Sequence, residues 1–98
     1  MSWTEFDNGN TYGAHGSEGG YILKDEELDN SARITLEELS KGKYAVTCGI
    51  YGTMVHTAWF GEADVFSEYE LMKADIEKIL STENDDFYEL IEDFVGRY

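Results

Sequence analysis

Tyr44-Ala45-Val46-Thr47-Cys48-Gly49-Ile50-Tyr51-Gly52-Thr53-Met54-Val55-His56-Thr57-Ala58-Trp59-Phe60 is the stretch whose reading decides the fold. Both arms are dense in β-branched and aromatic residues, and Tyr51-Gly52-Thr53-Met54 interrupts them. That pattern reads as a β-hairpin. Two registers are open. A two-residue Gly52-Thr53 turn pairs Gly49 with His56 and puts Val55, Thr57 and Trp59 on the face of Tyr44, Val46, Cys48 and Ile50. A three-residue Tyr51-Gly52-Thr53 loop pairs Cys48 with His56 and puts Met54, His56, Ala58 and Phe60 on that face instead. A slip of one residue turns a whole strand over, so every site argument depends on the choice. A turn with glycine first favours the two-residue register, which is the expectation here.

Upstream, Ala32-Arg33-Ile34-Thr35-Leu36-Glu37 alternates cleanly and predicts a half-buried strand, with Arg33, Thr35 and Glu37 on its polar face. Asp29-Asn30-Ser31 and Ser40-Lys41-Gly42-Lys43 carry turn chemistry on either side of it. Gly20 to Asp25 reads as a short strand running into Asp25-Glu26-Glu27-Leu28-Asp29, a solvated acidic hairpin end. Residues 7–20, DNGNTYGAHGSEGG, hold five of the ten glycines and predict a mobile loop. Trp3 and Phe6 ahead of it suggest a short first strand.

Downstream the period changes. Val65, Tyr69, Met72, Ile76 and Ile79 step by four, three, four and three, the stripe of an amphipathic helix. Ser67 with Glu70 forms a candidate capping box. Glu70 with Lys73 and Asp75 with Lys78 have the spacing of helix-supporting pairs. Thr82-Glu83-Asn84-Asp85 is a break, and Phe87, Leu90, Ile91, Phe94 and Val95 form a second stripe with Gly96 as its stop. The expectation is a single α+β domain over residues 1–98. It comprises an antiparallel meander of three to four strands followed by two C-terminal helices packed on one face.

Charge narrows the function classes. The chain carries 21 acids against 7 Lys and Arg, a net charge of −14. Nucleic-acid affinity comes from cations that displace counterions, so direct binding to phosphates is disfavoured. A basic protein partner fits the charge better. No apolar run nears the roughly 20 residues of a membrane span, and the first residues resemble no signal peptide. With one cysteine, Cys48, no internal disulfide forms, and a reduced cytoplasmic protein is expected.

Catalytic motifs are thin. Cys48 and His56 are the one nucleophile-and-base pair on offer, and they face each other only in the three-residue register. Together with Tyr44 and Trp59 they define a candidate pocket for a small molecule or a reaction. No close pair of His or Cys seeds a metal site, and no cofactor motif is present. The glycines of residues 7–20 lead into a strand rather than a helix, unlike phosphate-cradling loops. The acidic second half is more informative. Glu83, Asp85, Asp86, Glu89, Glu92 and Asp93 crowd one short helix at spacings where like charges repel. A sequence that tolerates this presents charge to something basic. The leading expectation is therefore a non-enzymatic interaction module of the immunity, antitoxin or inhibitor kind, with Glu83 to Asp93 meeting the partner. Tyr88 and Leu71, off their helices' stripes, are the residues to suspect in a homo-oligomer.

Overall fold

The protein is seen in a computed structural model that describes residues 2–82 and 85–98. Five antiparallel strands run in chain order: β1 (Trp3–Glu5), β2 (Tyr21–Leu28), β3 (Ala32–Ser40), β4 (Lys43–Ile50) and β5 (Met54–Gly61). Two helices follow, α1 (Val65–Leu80) and α2 (Asp86–Arg97), so the fold is α+β. The meander has one strand more than the sequence pattern shows at its upper bound, because β1 is only three residues long and is defined by its pairing to Glu26, Glu27 and Leu28.

One face of the sheet holds the core. Ile34 and Leu36 from β3, Val46 and Cys48 from β4 and Ala58 from β5 pack against α1, whose Val65, Tyr69, Met72, Ile76 and Ile79 are all buried. The stripe predicted for this helix is the one it buries. Its entry differs, for Asp64 is the N-cap and the Ser67 hydroxyl donates to the Asp64 carbonyl rather than joining a capping box. Lys73 does reach Glu70, at 3.3 Å, but Asp75 receives Arg97 of the second helix instead of pairing with Lys78. In α2 only Phe94 is fully buried; Phe87, Leu90 and Ile91 are half-buried, and Val95 turns to solvent. Tyr98 packs against the core in its stead, 4.8 Å from the Phe94 ring, so the helix continues through Gly96 rather than stopping there.

The central hairpin takes the register opposite to the one expected. Cys48 pairs with His56 and Ile50 with Met54, closing a three-residue Tyr51-Gly52-Thr53 loop. The Thr53 N–H donates to the Ile50 carbonyl at 2.9 Å, which makes Gly52 the third residue of the turn, where its φ of +77° is required. Neighbouring chain fixes the loop in that position. The Tyr51 N–H donates to Ser31 and its hydroxyl to Glu27. Met54 and Ala58 therefore go inward while Val55 and Trp59 go out, at 82% and 61% exposure.

The acidic run in β2 is not a solvated hairpin end. Strand β2 continues through it, and Asp25 is fully buried on the sheet face opposite the helices. Arg33 donates to both its oxygens at 2.9 and 2.7 Å, Thr35 at 3.1 Å and Thr11 at 2.8 Å. Beside it, Glu37 is also fully buried and accepts the Gly20 N–H at 2.8 Å and the Glu18 N–H at 3.2 Å. Residues 6–20 thus lie down on the outer face of β2 and β3, tied by two carboxylates. Phe6 enters a short 3₁₀ turn rather than a strand, with its ring 3.6 Å from the Arg33 guanidinium. Glycine is needed at residue 20, where a Cβ would sit 2.5 Å from the Glu38 carbonyl.

Removing one member of a buried ion pair strands the other. Asp25→Ala is therefore expected to cost about 3 kcal/mol, the lower end for such a pair because the Arg33 side chain keeps some water. Urea unfolding of the two chains measures it, and a loss within experimental error would mean that residues 6–20 are held without this carboxylate.

Candidate functional site

The sequence offers two sets of site residues, and the sheet separates the members of one of them. Tyr44, Cys48 and His56 lie on the helix-covered face, whereas Trp59 lies on the opposite, open face. Cys48 and His56 are direct cross-strand partners, yet the thiol is 2% exposed. Burial pushes the Cys48 thiol up to about 12, far from the range of a nucleophilic thiolate. The Phe94 ring stands edge-on to His56 at 6.2 Å between centroids, and the buried His56 Nε2 has no hydrogen-bond partner. These side chains close the core between sheet and α2.

The open face carries a cleft of about 610 Å³ instead. Thr35 and Thr47 form its floor, His15 to Ser17 one wall and Tyr51 to Val55 the other. Several of its polar groups are engaged: Thr47 shares a hydrogen bond with Thr57 at 3.0 Å and lies 3.4 Å from Ser17, Thr35 serves Asp25, and His15 donates to Gly19 at 3.2 Å. Burial of Arg33 between Asp25 and Phe6 leaves its charge, held up by the hydrogen bonds to Asp25, committed within the fold.

The second set assembles on α2. Asp85, Asp86, Glu89, Glu92 and Asp93 are all exposed; Glu83 lies outside the described residues, as does Asn84. At 3.6 residues per turn the five fall within about 120° of arc, away from the Phe87, Leu90, Ile91 and Phe94 side. Asp85, Glu89, Glu92 and Asp93 form no ion pair among the described residues. The one cation of this helix, Arg97, is drawn off to Asp75 at 3.0 Å. Asp86, Glu89 and Asp93 form one wall of a groove of about 420 Å³ between the helices, with Leu90 in it and Lys78 and Thr82 contributed by the α1 side. Tyr88, 70% exposed, and Val95 border the acidic arc. Leu71 is likewise exposed on α1. The acids were legible from spacing alone, but the groove was not, since it needs the packing angle of the two helices.

Among the described residues no cluster of His, Cys, Asp and Glu has the geometry to hold a metal ion, and no helix is long and apolar enough to cross a membrane. Comparison with protein-family models, with curated proteins and with solved structures gives no match.

Burial raises the Cys48 thiol from its ordinary 9.0 to about 12 in the fold. The folded state thus favours the protonated form, and this contribution is complete below pH 9 and lost as the pH climbs from there towards 12. Native protein should resist a thiol reagent at neutral pH and lose stability in alkali. Cys48→Ala should make the alkaline loss shallower in urea titrations at about pH 7 and about pH 10. Rapid labelling of the native thiol would contradict the burial.

Proposed function

We propose that the protein is a non-enzymatic interaction module whose α2 face engages a basic protein surface, in the manner of an immunity protein, antitoxin or inhibitor. The observation that carries this reading is the groove between α1 and α2. A partner's Lys or Arg entering it lays its aliphatic stem along Leu90 and brings its charge to Glu89 and Asp93 on the α2 wall, with the groove's own Lys78 on the α1 side. Tyr88 and Val95 flank the Glu92 side of the acidic arc, away from the groove, and add exposed apolar surface next to the charge. A lone cation would have no use for them.

The net charge of −14 serves the same end at longer range. It speeds encounter with a basic partner and repels nucleic acid, so the partner's own phosphate-binding surface is a natural target. Charge of this kind is screened beyond about 10 Å at 0.1 M salt, so association should slow as salt rises.

A short peptide rich in Lys and Arg, titrated by calorimetry at low salt, provides the test. Reversing Glu89, Glu92 and Asp93 to Lys should weaken binding by about 100-fold. An equal reversal at Glu62, Glu68 and Glu70, on the first turns of α1 and the loop before it, should cost far less. Equal losses in the two triple variants would show a response to bulk charge alone and refute a dedicated α2 surface.

A further inference from the structure

The two edges of the sheet are built differently. Edge strand β1 is three residues long, carries Glu5 and runs into the 3₁₀ turn. Edge strand β5 is eight residues long, and its ladder to β4 has no bulge. Its sequence, MVHTAWFG, contains neither Lys, Asp, Glu nor Pro. Short length, charge, proline and bulges are the means by which proteins blunt an exposed edge, and β5 has none of them. Among the described residues, no backbone outside β4 bonds to Met54–Phe60.

Charge singles out the same place. No Asp or Glu occurs between Glu38 and Glu62, in a chain that has 21 of them. β4 and β5 therefore bring no acid of their own to a second copy.

We infer that two copies of the chain pair through their β5 edges, antiparallel and centred on Thr57, to form one continuous sheet of both molecules. The sequence of β5 is complementary to itself in that register. Thr57 meets its own counterpart, and Val55 of each copy lies opposite Trp59 of the other. These are the two exposed large apolar side chains of the strand, at 82% and 61%. A β-branched residue facing an aromatic one is a favourable cross-strand pair. On the other face Met54 falls opposite Phe60, and His56 opposite Ala58. Glu62 of each copy lies across from Gly52 of the other. Such an interface is isologous and closes at two chains, because each copy offers a single open long edge. The pairing uses the β5 backbone edge with Val55 and Trp59, residues that the proposed basic partner does not touch.

Sedimentation velocity across the micromolar range tests the pairing. The wild-type mass should rise twofold from 11.1 kDa with concentration, and more readily as salt screens the negative charge. Val55→Lys with Trp59→Lys changes only exposed side chains and should hold the chain monomeric, whereas Leu71→Lys with Tyr88→Lys should leave the dimer intact. A wild-type monomer at every concentration overturns the inference, as does a dimer that survives the β5 variant or is lost in the helix variant. A second measurement reads the register directly. In a Cys48→Ala background, Thr57→Cys should cross-link the two copies on mild oxidation, since it faces itself across the axis, and Val55→Cys should not. The reverse pattern overturns the register.

Discussion

The turn at Tyr51-Gly52-Thr53 is the constraint on which the rest of the molecule depends. By accepting Thr53 N–H at Ile50 and anchoring Tyr51 to Ser31 and Glu27, the neighbouring chain sets the β4–β5 register. Because side chains alternate along a strand, that single choice assigns every residue of β5 to a face. Ala58, a small residue, comes under the helices, and the core forms over it. Val55 and Trp59 are left outside. The same choice puts Cys48 beside His56, burying the thiol and leaving the imidazole half-buried against Phe94, which makes both packing residues.

A second layer of order comes from two carboxylates on the opposite face. Asp25 and Glu37 are buried without a helix above them, and each is satisfied by what it holds in place. Burial of an acid is costly unless its oxygens are bonded, so the segment that supplies Thr11 and the Glu18 and Gly20 N–H groups must stay down. The glycine-rich stretch is thereby part of the fold. It covers β2 and β3 and reaches β4 at Ser17, whose hydroxyl lies 3.4 Å from that of Thr47; beyond this contact lie the open cleft and the bare far edge.

How much of this the sequence discloses follows from the kind of signal each part carries. The α1 stripe is legible because a helix writes its buried face at a fixed spacing, and Val65 to Ile79 does so without interruption. The hairpin is legible as a hairpin, but its register is not: both turns use a positive φ at Gly52, and the contacts that decide between them come from Ser31 and Glu27. Asp25 looks like surface because it sits in an acidic run, and its burial depends on Arg33 across the next strand and Thr11 in the loop. Candidate site residues divide the same way. The exposed acids of α2 follow from spacing, while the grouping of Trp59 with Cys48 assumed a shared face that the register denies.

Cross-strand contacts between backbone protons in a nuclear Overhauser spectrum of this 11.1 kDa chain test the register most directly. The account predicts that Thr47 connects to Thr57, Cys48 to His56 and Gly49 to Val55. A ladder that joins Gly49 to His56 and Cys48 to Thr57 would contradict it, and with it the assignment of Val55 and Trp59 to the open face.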